Sequence, residues 1–270
     1  PAPSQVLVDV VGRPRRRGHA VDSVIVEEAV SLPERLPVEH DLYLVKSHTE
    51  LTLSLAAVLH ARGARTLNPY PACAIVQDKI TAAARLAAAG VPVPRSWTTG
   101  DLRLLAPLVD TWPVVVKPHR GHRGAGVVVV PDPKTMAALP PPAGPMLVQE
   151  HVPGCGEDLK VYVVGEDVFA VRKPFSADSF TRSGRLVPVT PEVRETALRC
   201  GAAFGLGLYG LDVIESPDGP VVVDLNYFPG YKGVPDVAPL LTDYIDEFAS
   251  GAHRRALPEL AALASLPGIR

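Results

Sequence analysis

Residues 211–233, LDVIESPDGPVVVDLNYFPGYKG, constrain this chain more than any other stretch. Apolar and polar residues alternate on both sides of a turn centred near Asp218, which predicts two short antiparallel strands. Asp212 and Asp224 lie equally far from that turn. In the hairpin they stand opposite each other or one register step apart, and like charges opposite across a strand pair are destabilising. A cation between them removes the conflict. Asn226 follows Asp224 by two residues, so it projects from the same sheet face. Two carboxylates and an amide oxygen suit a hard ion such as Mg2+, which takes oxygen ligands and is often shared with substrate phosphates. A surface hairpin with polar residues on its wet side has the same composition, so the rest of the chain must decide.

The 270 residues suffice for one large or two modest domains. A formal net charge of -2 gives no case for nucleic acid or an anionic membrane surface as partner. The apolar runs are short and broken by Pro, Gly or charge, so no segment approaches a membrane span. Cys73, Cys155 and Cys200 are scattered and form neither a disulfide framework nor a metal pair. A reducing, cytoplasmic location is expected.

Strand-like runs at 5–10, 23–26, 41–45 and 65–67 alternate with a helical segment at 50–62, which suggests a small N-terminal α/β domain over 1–77. Asp78 can cap a helix over 79–89 that Gly90 ends. A helical segment at 102–109 and strands at 114–117 and 126–130 fill a central unit over 78–145. The remaining unit, 146–270, holds strands MLVQE, LKVYVVG and DVFAVRK, a polar and mobile loop at 174–187, a helix at 191–204, the hairpin and a helix at 236–249. The tail after Gly251 is expected to be helical and peripheral.

Residues 114–130, VVVKPHRGHRGAGVVVV, read as strand, glycine-rich turn and strand. Lys117 closes the first strand. Gly121, Gly124 and Gly126 permit tight backbone paths whose N–H groups approach an anion. In 147–165, LVQEHVPGCGEDLKVYVVG, a strand ends at Gln149-Glu150-His151-Val152, and its backbone edge can face a planar base. Asp158 can accept from ribose hydroxyls, and Lys160 and Tyr162 alternate onto one face of the next strand.

Lys79 opening a helix, VVVKP with its glycine loop, QEHV, DLKVYVVG, and then LDVI with DLN follow an order that resembles the ATP-grasp superfamily. The likeness spans roughly 77–233. It implies an α/β fold of α+β subdomains behind a small N-terminal domain, with ATP held between two of the subdomains. It implies that Lys79 and Lys117 meet nucleotide phosphates under the glycine loop of Gly121, Gly124 and Gly126. Glu150 and the backbone at His151 and Val152 would meet adenine, and Asp158 the ribose. Asp212, Asp224 and Asn226 would hold Mg2+, with Mn2+ as an alternative.

Two branches compete. GLDVI and DKITAAARLAAAGVPVP resemble RimK-like carboxylate–amine ligases, which activate a carboxylate as an acyl phosphate for attack by an amine. DLNYFPGYKGVP, with VRKP and LKVYVVGE, resembles inositol 1,3,4-trisphosphate 5/6-kinases, in which a hydroxyl takes the γ-phosphate directly. Both reactions need cations against the charge developing on the transferred group. His119, Arg120, His122 and Arg123 crowd the glycine loop. Lys160, Arg172 and Arg182 are the residues assigned to that chemistry, with Lys173 and Arg185 nearby, and together they imply a small anionic substrate. The ligase branch, with an amine co-substrate, is preferred. The kinase is the alternative, and a nucleotide-binding protein without turnover is a third reading.

Overall fold

A computed structural model describes residues 5–121, 124–174, 184–253, 255–260 and 263. The N-terminal part departs most from expectation. Residues read as a first strand form helix α1, Gln5–Arg16. A short run with four apolar residues in six fits either period, and here Val6 and Val10, one helical turn apart, pack into the core. The expected strand at 23–26 is extended chain leading into a 3-10 turn, Val26–Glu28. Its Val24 and Ile25 are exposed, so no sheet face claims them.

Strand β1, Tyr43–Leu44, pairs in parallel with β2, Thr66–Leu67, across helix α2, Glu50–Ala61. NPYPA opens helix α3, Tyr70–Gln77, with its proline in the first turn, where no N–H is missed. Asp78 then caps helix α4, Lys79–Ala88, accepting from the backbone N–H groups of Ile80 and Thr81.

The central sheet has the order β3, β6, β4, β5: Ser96–Thr99, Met146–Glu150, Val114–Pro118 and Val128–Val130. Short helices α5, Ala106–Val109, and α6, Pro133–Ala137, cover its back, where Val114, Val116, Val148 and Met136 form a separate apolar core. Strand β6 hydrogen-bonds β3 and β4. We therefore propose that the subdomain boundary lies within 151–156, beyond the 145/146 division read from sequence.

The second sheet contains β7, Glu157–Val164; β8, Asp167–Pro174; β9, Arg185–Val187; β10, Leu208–Ser216; and β11, Gly219–Tyr227. Its order is β11-β10-β7-β8-β9 with all neighbours antiparallel. Of the segment expected as a mobile loop over 174–187, residues 175–183 lie outside the described residues and 185–187 form β9.

Helix α7, Pro191–Phe204, carries proline in its first turn and ends on Gly205 at φ 66°. It buries Val193, Ala197, Cys200 and Phe204; each large apolar side chain removed from water contributes about 1.5–3 kcal/mol. Helix α8, Val237–Ser250, packs against α1. The tail is not helical over 255–259; Arg85 holds it by donating to Pro258 O.

Candidate functional site

The hairpin register makes Asp212 and Asp224 direct partners, with Gly210 opposite Asn226. Alternation puts Asp212, Asp224 and Asn226 on one face. The same face of β7 carries Asp158, Lys160 and Tyr162, because Lys160 pairs with Asp212 and Tyr162 with Gly210. Gly210 is needed where it stands: a Cβ there would meet Pro229 at 3.1 Å and the Tyr162 ring at 3.2 Å.

The two carboxylates are neutralised from different directions. Lys79, the first residue of α4, places Nζ 3.0 and 3.2 Å from the Asp224 oxygens. Its backbone is set by the Asp78 cap and by its own N–H, which donates to His119 O at 2.8 Å. Lys160 Nζ lies 2.6 Å from both Asp158 and Asp212. Burial opposes the Lys160 charge, but Asp212 and Asp158 outweigh it and hold its pKa above the usual lysine range. Burial, with Asp158 and Asp224 adding to it, raises the Asp212 carboxyl against the pull of Lys160.

Lys117 reaches the same cleft from the central sheet. Its Nζ donates to Gln149 Oε1 at 2.7 Å and to Val223 O at 3.0 Å. A β-bulge makes the second bond available: register shifts between Asp212 and Val213, which leaves Val223 without a partner on β10. Gln149 donates in turn to Ser96 Oγ at 3.1 Å. Burial, with Lys79 nearby, lowers the Lys117 pKa.

The glycine loop follows Lys117. Gly124 and Gly126 both hold φ 71°, a backbone region that favours glycine. A Cβ on Gly126 would lie 2.8 Å from Pro118 Cγ. A cavity of about 460 Å3 lined by Val116, Pro118, Val128 and Met146 lies behind this sheet, on the side away from Lys117.

Two sheets, a pair of lysines from separate elements and an acidic hairpin between them describe a cleft for a polyanion. The RimK-like ATP-grasp domain model matches residues 76–241. The chain belongs to the RimK-like ATP-grasp family. A probable alpha-L-glutamate ligase of Stutzerimonas stutzeri is 31% identical over 206 residues, covering 69% of this chain and 68% of that protein. One from Photobacterium profundum is 30% identical over 213 residues, covering 71% and 70%. Among solved structures, a RimK domain ATP-grasp protein from Sphaerobacter thermophilus superposes with a TM-score of 0.74 at 20% identity, covering 90% of this chain and 96% of that one. D-alanine–D-alanine ligase from Bacillus anthracis, complexed with ATP, gives 0.62 at 18% identity, covering 78% and 80%. The fold is that of ATP-grasp, and this RimK-like chain is an enzyme that uses ATP.

Within the ATP-grasp frame the residues proposed from sequence divide. Lys79, Lys117, Lys160, Asp158, Asp212, Asp224 and Asn226 converge on the cleft. Asp158, expected from sequence to meet the ribose, engages Lys160. At the strand end proposed for adenine, the N–H groups of Glu150 and His151 donate to Arg95 O and Pro113 O at 2.9 Å.

Arg172 is not brought to this face. It pairs with Leu159 in register, projects from the opposite side of the sheet, and grips Glu215 at 2.6–3.0 Å. Its neighbour Lys173 faces the cleft, opposite Asp158. A period-2 reading of DVFAVRK alone leaves open which of the two points inward; only the register against β7 decides. Arg182, His122 and Arg123 lie outside the described residues. The Lys117 contacts to Gln149 and to the bulged Val223 carbonyl were not anticipated, and no local sequence signal marks either pairing.

The pair of carboxylates with the Asn226 amide fits a hard divalent cation in donor type. Among the described residues no group of three or more His, Cys, Asp or Glu surrounds a point, so phosphate oxygens would have to complete the coordination. No helix among the described residues is long and apolar enough to cross a membrane.

Proposed function

We propose that the protein is an ATP- and Mg2+-dependent carboxylate–amine ligase acting on a small anionic acid. A carboxylate oxygen of the substrate attacks the γ-phosphorus of ATP, ADP leaves, and an acyl phosphate forms. The amine nitrogen then attacks the acyl carbon and expels phosphate. Lys79 and Lys117 bind the nucleotide phosphates, and Lys160 meets the negative charge on the transferred group. Asp212, Asp224 and Asn226 would hold Mg2+, which neutralises phosphate charge when bound.

One observation carries the choice of reaction. Asp158 and Asp212 are held by Lys160 and Asp224 by Lys79, and Asp212 and Asp224 would pass from their lysines to Mg2+ when it binds, so none of these carboxylates stands ready to deprotonate a hydroxyl. A carboxylate acceptor needs no base for its first step, because it is already ionised. The family membership and the ligase names of the relatives support the same reading. The alternative, γ-phosphate transfer to a hydroxyl, keeps the support of the NYFPGYKG segment.

The test is an ADP-release screen with two panels, amino and carboxylic acids against phosphorylated polyols, with hydroxylamine as the amine. ADP with a hydroxamate supports the ligase. Phosphate appearing on a substrate hydroxyl, with no hydroxamate trapped, overturns it.

A further inference from the structure

Lys117 enters the cleft with two of its three N–H donors committed. One goes to Gln149 Oε1 at 2.7 Å and another to Val223 O at 3.0 Å. The acceptors belong to different sheets, and together they fix where the third N–H points. The Val223 carbonyl is held by the backbone of the β11 bulge. Gln149 Oε1 is carried by a side chain, which turns unless something holds it.

Ser96 holds it. Ser96 pairs in register with Gln149, and Lys117 pairs with Leu147, two residues along β6 from Gln149, so the three side chains share the cleft face of the central sheet. The direction of each bond follows from the ends of the chain of contacts. Pro94 O, 2.8 Å from Ser96 Oγ, only accepts, so the hydroxyl proton points to it. Ser96 Oγ therefore offers Gln149 Nε2 a lone pair, at 3.1 Å. At the other end an ammonium only donates, which requires Oε1 to face it. Both neighbours thus impose the same orientation on the Gln149 amide. Gln149 is 4% exposed, and a buried amide that loses one acceptor turns to find another. Such a turn withdraws Oε1 from Lys117.

We propose that Ser96 is a positioning residue for the nucleotide: through Gln149 it aims the Lys117 ammonium at phosphate. This rests on the phosphate role given to Lys117 above. Two fixed acceptors preorganise the third N–H, so the protein does not reorder it when a nucleoside di- or triphosphate arrives. Loss of the Ser96 hydroxyl leaves Lys117 with one fixed acceptor, Val223 O, and its third donor no longer has a set direction. The effect falls on phosphate-bearing ligands and spares the nucleoside.

Ser96 is exposed, so water would replace a hydroxyl removed by alanine. The experiment therefore compares Ser96→Thr with Ser96→Val, which match in shape and differ in the hydroxyl. The full chain is titrated calorimetrically with ADP and with adenosine. Ser96→Thr should bind ADP within about twofold of wild type. Ser96→Val should bind ADP at least about fivefold more weakly, with adenosine affinity within about twofold. In the Gln149→Met background, where the relay is already cut, Ser96→Val should cost less than about a further twofold. Wild-type ADP affinity in Ser96→Val, or a full loss in the Gln149→Met background, overturns the relay. Equal losses for ADP and adenosine also overturn it, because the effect would then lie in the fold or at the base. Lys117→Met keeps the two readings apart. If it binds ADP as tightly as wild type, the phosphate role of Lys117 fails and the relay with it. If it binds weakly while Ser96→Val does not, only the relay fails.

Discussion

Asp212 and Asp224 are direct register partners, and each is held by a lysine from a different element: Lys160 of β7 for one, Lys79 of α4 for the other. Two like charges that a hairpin alone could not tolerate are stable because the tertiary structure brings two cations to them. Nucleotide phosphates compete for those same cations, so phosphate binding would release the carboxylates at the moment a phosphate-bound cation needs ligands.

Asp224→Asn tests this relationship. It removes the charge that Lys79 meets while keeping shape. ADP release should fall about 100-fold or more, with the thermal midpoint within about 4 °C of wild type. Steady-state ADP assay and differential scanning calorimetry read the two quantities. Unimpaired turnover would remove Asp224 from the site.

Lys160→Met should strip the counter-charge from Asp158 and Asp212. Without nucleotide, Mn2+ binding measured by water-proton relaxation should then tighten about tenfold relative to wild type, although catalysis is lost. Weaker binding of the metal alone would show that Lys160 does not compete with it.

Lys117→Met separates stability from function. The folded pKa of Lys117 is lowered, chiefly by burial. Between the folded value and the unfolded one, near 10.4, the unfolded chain binds more protons, so stability rises with pH through that window. At neutral pH the buried charge is therefore a cost, and the methionine variant should match or exceed wild-type stability while its affinity for ADP drops about tenfold or more. The wild type should gain stability relative to the variant as pH rises towards 10. Calorimetry across pH 7–10 checks the sign.

Arg172→Ala should behave as a surface change. The Arg172–Glu215 pair lies on the far side of the sheet, and its loss should cost about 1 kcal/mol. Turnover should stay within threefold of wild type. A loss comparable to that of Lys160→Met would return Arg172 to the catalytic group.

Asn68→Ala probes how the N-terminal part is attached. The Asn68 amide accepts from Gly207 N and Leu208 N at 2.9 and 3.0 Å and donates to Leu208 O at 2.6 Å. Truncation leaves buried backbone donors unpaired, at about 2–4 kcal/mol, and should lower the thermal midpoint by about 5–10 °C.

The sequence by itself determined the acidic hairpin, its turn and the shared face of Asp212, Asp224 and Asn226, because strand alternation is local and has period two. It determined the Asp78 cap that starts α4 at Lys79, and the glycine positions that follow Lys117, for equally local reasons. It did not determine that Gln5–Arg16 is a helix, since a short apolar run satisfies both periods until α8 offers a surface. Nor did it determine whether Arg172 or Lys173 faces the cleft; that waits on the pairing of β8 with β7. The bond from Lys117 to the bulged Val223 carbonyl joins residues 106 positions apart, and so does not exist until the two sheets close on each other. The hairpin thus supplied the acidic charges, and only the packing of three distant lysines around them made those charges a site.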